Sequence, residues 1–186
     1  MEISRNNYVF CYGSNHPAQL ARRLKVPLVE VLERSKACTL YDYQRAFMGL
    51  SKKWVGSVAT LIPKEKGQVR GFAYLMTQEE EKRIDMFEAY PVKYDKVEVI
   101  LHDHNQVPFI GIAYIMNPSE FFLYPNKKYL NACALSYLAY YYIGLDNDKL
   151  KDFNPGKLSI PVINAISGDK VDVFTSQKLE LPHITS

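Results

Sequence analysis

A succession of short β-type segments occupies the first 116 residues of the chain and narrows the choice of fold. Apolar, β-branched and aromatic residues predict strands over residues 8–12, 38–47, 54–63, 67–76, 96–103 and 108–116. The turn sequences KEKG and HNQV join the last four segments as two hairpins. Helical segments lie between and after these strands. This order predicts an α+β fold, a small mixed β-barrel or curved sheet with flanking helices on its outside.

Local signals predict three helices. The first begins at Asn15 or His16, either of which suits the N-terminal cap, and has a proline in its first turn. Thr77 and Glu80 have the spacing of a capping box, which predicts the start of the second helix. Tyrosine and apolar residues at helical spacing over residues 126–143 predict the third, which a glycine ends.

Length and composition favour one globular domain. The chain has 186 residues, of which 47% are hydrophobic and 23% are charged, and this is enough to bury a core. No repeat or low-complexity linker divides it. Residues 159–166 and 170–176 are compatible with two strands or with a docked tail. We therefore expect a single domain over residues 1–186.

Several classes of protein are disfavoured by charge, cysteine use and hydropathy. The net charge of +3 is too small to predict binding of nucleic acid or of a membrane. Cys11, Cys38 and Cys133 each lie in an apolar pattern, typical of buried thiols in a reducing compartment, and lack metal-site spacing. No signal peptide is visible, and the most apolar stretch, residues 132–145, is too short to span a bilayer. We expect a cytoplasmic protein without a bound metal.

The first predicted strand ends abruptly at the sequence Tyr12-Gly13-Ser14-Asn15. A glycine directly after a strand lets the backbone bend and approach a ligand closely. The successive N–H groups of such a turn point outward together at the start of a helix, where they form an anion site. The alternative is a plain strand-to-helix turn with no ligand.

Two carboxylates lie near the end of the second predicted helix. Asp85 and Glu88 are three residues apart, and the apolar Ile84, Met86 and Phe87 surround them in sequence. A carboxyl group held against apolar neighbours takes up a proton more readily, which suits it to proton transfer near neutral pH. The alternative is a solvated helix end.

Three segments occur in the same order as in the gamma-glutamylcyclotransferase-like (AIG2-like) family, which the chain therefore resembles. They are YGSN after the first strand, IDMFEAYPVKY in the middle and PNKKYLNACALSYLAYYYIGL near the end. WVGSVATLIP followed by GQVRGFAYLM is similar to the central hairpin of that family. The resemblance covers about residues 8–150 and leaves a C-terminal extension, 151–186, unexplained. It implies a small mixed β-barrel with flanking helices.

The resemblance also implies an activity, the release of 5-oxoproline and an amino acid or amine from a gamma-glutamyl compound, without a cofactor. Glu88 matches the catalytic carboxylate of the family, a general acid/base, and Asp85 matches an aspartate with a structural role. The substrate-binding positions implied by the match are Tyr12, Gly13, Ser14, Asn15 and Tyr94. The partner expected is a small gamma-glutamyl molecule.

One departure from the family pattern bears on this activity. Ala89 follows Glu88 where the family has glycine, and a left-handed conformation there would cost on the order of 1 kcal/mol. The alternative function is therefore a non-enzymatic protein of the same fold that binds a small ligand or another protein. We expect residues 117–125 to supply an aromatic wall to the site. The tyrosines of the last helix predict core packing together with an interface, compatible with a homodimer.

Overall fold

The computed structural model describes residues 7–144 and 159–174. The strands are β1 (Tyr8–Cys11), β2 (Ser35–Ser51), β3 (Gly56–Leu75), β4 (Tyr94–Asp103), β5 (Pro108–Met116), β6 (Ser159–Asn164) and β7 (Lys170–Phe174). The helices are α1 (Pro17–Leu24), α2 (Leu28–Glu33), α3 (Gln78–Glu88) and α4 (Lys127–Gly144). None of the helices in these two ranges is long and apolar enough to cross a membrane.

Five of the strands close into a barrel. They are hydrogen-bonded in the order β3-β1-β5-β4-β2, and β2 pairs with β3 to complete the circle. Only the β1–β5 pair in this ring is parallel. β6 continues the sheet from β2 as a parallel neighbour, and β7 pairs with β6. The α+β barrel predicted from the sequence is thus confirmed.

The largest difference from the sequence prediction lies in the β2–β3 hairpin. KEKG (64–67) does not join two strands, because β3 runs through it as one strand of 20 residues. These residues bulge opposite Asp42, where Asp42 and Lys66 have φ angles of 60° and 58°. The Lys66 N–H donates to Asp42 Oδ1 at 3.0 Å, which closes the bulge locally. A bulge of this kind increases local twist and bends the hairpin, so that its two halves form different parts of the barrel wall.

Side-chain caps fix the starts of the two helices that border the site. At α1 the cap is His16 and not Asn15, because the N–H of Gln19 donates to His16 Nδ1 at 3.4 Å. At α3 the capping box is confirmed: the Glu80 N–H donates to Thr77 Oγ1 at 3.2 Å, and the Thr77 N–H donates to Glu80 Oε2 at 2.8 Å. α2, a helix of 6 residues, was not predicted from the sequence.

The two C-terminal segments form the strands β6 and β7 as far as residue 174, which favours the first of the two alternatives left open for them; residues 145–158 and 175–186 lie outside the described residues. β6 pairs with β2 through Ala46 and Ile163, outside the barrel closure. α4 packs across β2 and β3 and covers the barrel on that side. Cys11, Cys38 and Cys133 are buried free thiols, as the apolar patterns around them predicted.

Candidate active site

The turn that follows β1 is anchored from below by buried side chains. The guanidinium of Arg45, on β2, is buried, and its Nε donates to the carbonyl oxygen of Tyr12 at 2.6 Å. The Tyr12 hydroxyl donates to the carbonyl oxygen of Tyr114 on β5. A buried cation needs such partners, and here they fix the backbone at the strand end. Arg45 was not singled out in the sequence.

Gly13 allows the turn to pass close to β3. A Cβ atom at this position would lie 3.0 Å from the Cβ atom of Ala59, tighter than ordinary contact. The Ser14 carbonyl oxygen accepts from the His16 N–H at 2.9 Å and from Gln19 Nε2 at 2.8 Å. In the part of the chain that the structure describes, the N–H groups of residues 13–15 donate to no protein acceptor. These three donors therefore have no partner within the described protein, and their residues line the cavity described next.

Two neighbouring chambers with shared lining residues lie beside this turn. The inner chamber has a volume of about 40 Å³ and is lined by residues 12–15, Glu88, Tyr94, Tyr114 and Tyr129, among others. The outer chamber has a volume of about 130 Å³ and is lined by Arg23, Lys53, Trp54, Phe87 and Lys93, among others. Ser14, Glu88, Tyr94 and Tyr129 line both chambers. The Glu88 side chain thus lies where the two chambers meet.

Glu88, the last residue of α3, faces the turn through a three-residue polar network. Its Oε1 accepts from Asn15 Nδ2 at 3.1 Å and from Arg23 Nη1 at 3.0 Å. The same Arg23 nitrogen donates to Asn15 Oδ1 at 2.7 Å. Both hydrogen bonds to the carboxylate end on Oε1, and Oε2 has no partner among the described residues. Arg23 was missed in the sequence, where nothing marks it apart from its position in the last turn of α1.

The prediction that apolar residues surround the Glu88 carboxylate was wrong. Its sequence neighbours do not enclose the carboxylate in an apolar pocket, because Ile84 points into the core and Met86 is 74% exposed. The guanidinium of Arg23 lies over the Phe87 ring, with Cζ 4.8 Å from the centre of that ring. The helix therefore presents Glu88 to polar partners from α1 and from the turn.

Asp85 lies one turn earlier on α3 and has other partners. Its carboxylate accepts from the Tyr114 hydroxyl at 2.6 Å and from Lys96 Nζ at 2.9 Å. Burial, followed by the hydrogen bond to Asp85, raises the pKa of Tyr114, so this phenol stays a neutral donor. Tyr114 lines the inner chamber, whereas Asp85 does not. Asp85 therefore contributes to the site by fixing the position of the Tyr114 hydroxyl.

Tyrosine hydroxyls form the rest of the inner wall. The Tyr94 hydroxyl donates to the carbonyl oxygen of Ala59 at 2.8 Å, and the Ala59 N–H donates to the Tyr129 hydroxyl at 2.6 Å. Burial raises the pKa values of both tyrosines well above the ordinary value. Tyr114 and Tyr129 are wall residues that the sequence analysis did not single out. Tyr114 lies beside Tyr94 across the β4–β5 pair, and Tyr129 reaches the wall from α4.

Cys11 also lines the inner chamber, but its environment does not suit a nucleophile. The thiol is buried, and burial together with the negative charge of Glu88 raises its pKa. A reactive cysteine requires the thiolate, which positive neighbours and partial exposure favour. Cysteine-based covalent chemistry is therefore disfavoured at this site.

Ala89, which stands where the family has glycine, adopts a left-handed conformation. Its φ and ψ angles are 51° and 43°, and it ends α3 directly after Glu88. A non-glycine residue in this region is strained by about 1–2 kcal/mol. The backbone geometry expected for glycine is thus present in spite of the substitution.

The aromatic wall predicted for residues 117–125 was wrong. These residues run along the outer edge of the β2–β3 hairpin, where the carbonyl oxygen of Phe121 accepts from the N–H of Gly49. Phe121 and Tyr124 are exposed, and neither lines the inner or the outer chamber. Trp54 supplies an aromatic wall instead, packed 5.0 Å from the Tyr129 ring.

The comparison with sequence families agrees with this geometry. The model of the family described as "Gamma-glutamyl cyclotransferase, AIG2-like" matches residues 9–132, two thirds of the chain. The chain belongs to this family. The match includes the turn at residues 12–15, Glu88 and Tyr94. A search of curated protein sequences finds no match.

Solved structures share the fold at low sequence identity. A protein described as "Gamma-glutamyl cyclotransferase" is 19% identical, with a TM-score of 0.61 over 83% of this chain and 91% of its own. A human protein described as uncharacterized is 20% identical, with a TM-score of 0.62 over 86% of this chain and 94% of its own. YkqA of Bacillus subtilis is 17% identical, with a TM-score of 0.59 over 80% of this chain and 54% of its own. At these identities the likeness shows the fold.

Proposed function

We propose that this protein is a gamma-glutamyl cyclotransferase that releases 5-oxoproline and an amino acid or amine from a gamma-glutamyl compound. The observation that carries the proposal is that Glu88 and residues 13–15 line the same small chamber, and that the N–H groups of residues 13–15 have no acceptor among the described residues. A proton-transfer group and a set of anion-binding donors are the two elements that this reaction needs. Family membership and a structural neighbour described as a gamma-glutamyl cyclotransferase support the same proposal.

The reaction is an intramolecular acyl transfer. The α-amine of the glutamyl group attacks its own γ-carbonyl carbon, and the new C–N bond closes a five-membered lactam. The C–N bond to the leaving amine then breaks. Because nucleophile and electrophile belong to one molecule, the protein has only to fold the substrate and move protons.

Glu88 moves the protons in this scheme. Its carboxylate takes a proton from the α-ammonium, which creates the nucleophile, and delivers a proton to the departing nitrogen. Arg23 and Asn15 hold Oε1, which orients the carboxylate and leaves Oε2 for the substrate. Arg23 and Asn15 are positioning residues in this proposal.

The turn binds the anionic part of the substrate. The N–H groups of residues 13–15 lie at the start of α1, where backbone donors and the helix dipole favour negative charge. They hold the α-carboxylate of the glutamyl group or stabilise the oxyanion that develops on the γ-carbonyl. Tyr94 and Tyr114 close the chamber around the glutamyl chain.

The alternative function is a binding protein of the same fold without catalysis. The ion pair between Arg23 and Glu88 favours it, because it already engages Oε1 of the carboxylate that would have to move the protons. Incubation of the purified protein with gamma-glutamyl dipeptides and amines, followed by an assay for 5-oxoproline, separates the two functions. Release of 5-oxoproline supports the cyclotransferase, whereas binding without release supports the alternative.

We also propose a cytoplasmic location. Three buried free thiols suit a reducing compartment. A homodimer stays a prediction, and the molecular mass of the protein in solution tests it.

A further inference from the structure

The outer chamber carries more positive than negative charge. Among the residues that line it, Arg23, Lys53 and Lys93 are cationic, and Glu88 is the one carboxylate. Arg23 Nη1 is engaged by Glu88 and Asn15, so the two lysines supply the excess positive charge. The proposed catalytic scheme uses neither lysine.

Lys93 is held in place by its backbone. Its N–H donates to the carbonyl oxygen of Ala89 at 2.8 Å, and its carbonyl oxygen accepts from the Asn117 N–H at 2.9 Å. The ammonium group donates to the carbonyl oxygen of Leu50 at 2.9 Å. Partial burial lowers the pKa of Lys93, an effect that the nearby Glu88 opposes. A half-buried ammonium of this kind gains free energy when an anion binds beside it.

Lys53 and Trp54 also line this chamber. The Lys53 Nζ lies 5.5 Å from the centre of the Trp54 ring, and that ring packs on Tyr129. The chamber volume of about 130 Å³ is several times the ~10–15 Å³ that one water needs, so it accommodates a group of several heavy atoms. A lining that combines an aromatic ring with two lysines suits a short organic anion.

We infer that the outer chamber binds the leaving half of the substrate and selects one that carries a carboxylate, an amino acid or peptide and not a simple amine. The inference rests on the proposed function, because it assigns the glutamyl half to the inner chamber. A cationic leaving group such as a diamine would be repelled by Lys53 and Lys93. A neutral amine would leave both lysines without an anion.

Three compounds with the same glutamyl half test the selection. They are γ-L-glutamyl-L-alanine, γ-L-glutamyl-L-alaninamide, in which a neutral amide replaces the carboxylate, and γ-L-glutamylethylamide, in which the carboxylate is removed. We expect kcat/KM for the alanine compound to exceed that for each neutral compound at least about tenfold, the value of one charge-assisted contact. The difference should lie mainly in KM and should shrink as salt concentration rises.

Lysine variants assign the selection to the outer chamber. Lys53→Met and Lys93→Met should each lower the preference for the alanine compound several-fold, and the double variant should bring it close to one. Lys52→Met is the matched control, because Lys52 adjoins Lys53 in sequence, is exposed and does not line the chamber. Its preference should equal that of the unmodified protein. Thermal melts verify that all variants are folded.

Calorimetric titration separates this inference from the proposed function. The Glu88→Gln protein is titrated with the alanine compound and with the alaninamide. We expect Glu88→Gln to bind the alanine compound more tightly than the alaninamide, and Glu88→Gln/Lys53→Met/Lys93→Met to bind both equally. This result supports the inference even if no compound yields 5-oxoproline and the proposed function fails. Equal binding and turnover of the charged and neutral compounds would overturn the inference, and so would a preference that the double lysine variant retains. In either case, release of 5-oxoproline would still uphold the proposed function.

Discussion

Arg23 and Glu88 form an ion pair between two helices, with Nη1 of the arginine 3.0 Å from Oε1 of the glutamate. Their side chains are only 9% and 16% exposed, so the pair is largely shielded from solvent. Removal of one partner from such a pair leaves a poorly solvated charge, which costs more than the pair itself contributes. The pair therefore both stabilises the site and orients the Glu88 carboxylate.

The first prediction concerns Glu88→Gln. The glutamine Oε1 can still accept from Asn15 and Arg23, but the side chain no longer carries a proton between atoms. Release of 5-oxoproline should fall by ~10²–10⁴, the usual contribution of a general acid/base. Substrate affinity should change much less, because the turn N–H groups do most of the binding. Steady-state kinetics and calorimetric titration measure the two effects, and full activity in this variant would refute the mechanism.

Asp85→Asn is the control for that experiment. Asp85 binds Lys96 and the Tyr114 hydroxyl, and it does not line either chamber. Its replacement should lower the free energy of unfolding by about 1–2 kcal/mol through the loss of charge-assisted hydrogen bonds. Turnover should fall far less than in Glu88→Gln. A loss of turnover as large as that of Glu88→Gln would give Asp85 a direct part in the chemistry.

The second prediction tests the coupling between Arg23 and Glu88. Arg23→Met leaves the carboxylate with Asn15 alone, so the free energy of unfolding should fall by about 2–4 kcal/mol. In Arg23→Met/Glu88→Gln no charge is left unpaired, and the double variant should be more stable than Arg23→Met. Urea denaturation of the four proteins in this double-mutant cycle gives the interaction energy. Strict additivity of the two single effects would show that the pair is not coupled in solution.

The third prediction concerns the left-handed residue Ala89. Ala89→Gly relieves the Cβ strain at this φ angle, and the gain exceeds the added entropy of glycine in the unfolded chain. The free energy of unfolding should rise by up to about 1 kcal/mol. Ala18→Gly is the control, because Ala18 is an exposed residue in the first turn of α1, where glycine is unfavourable. Denaturant unfolding should show effects of opposite sign for the two variants.

Local signals in the sequence were sufficient for much of the fold. β1, the capping box of α3 and the hairpin of β4 and β5 each depend on residues close in sequence, and all three were predicted. The bulge at 64–67 was not, because KEKG has turn composition and only its pairing opposite Asp42 makes it part of one strand. Composition identifies a bend there but not its hydrogen-bond partner.

The candidate site was predicted in its local segments and missed in its long-range contacts. The turn at 12–15 and Glu88 each stand out by composition and by resemblance. Arg23 contacts Glu88 across 65 positions of sequence, and no spacing rule relates them. Tyr114 and Tyr129 come from different elements, which meet only when the barrel closes and α4 covers it. Of these missed residues, Arg23 donates to the Glu88 carboxylate, whereas Tyr114 and Tyr129 form the wall of the inner chamber.

The last prediction concerns the pH dependence of stability through His16. His16 Nδ1 accepts the N–H of Gln19, which requires a neutral ring. Burial, followed by the positive charges of Arg22 and Arg23, lowers the pKa of His16 to about 4 from its usual value of 6.5. The unfolded chain therefore binds more protons than the folded one between these values, so stability is complete above pH 6.5 and falls as the pH approaches 4. The slope is at most about 1.4 kcal/mol for each pH unit.

The His16→Asn variant tests this dependence. Asparagine keeps a capping acceptor but does not titrate. All other titratable groups are the same in the two proteins, so a difference between their pH profiles reports on His16. The difference in unfolding free energy between the two proteins should be constant above pH 7 and shift in favour of His16→Asn from pH 6.5 to 5. Parallel profiles from urea denaturation over that range would show that His16 is not held neutral by the fold.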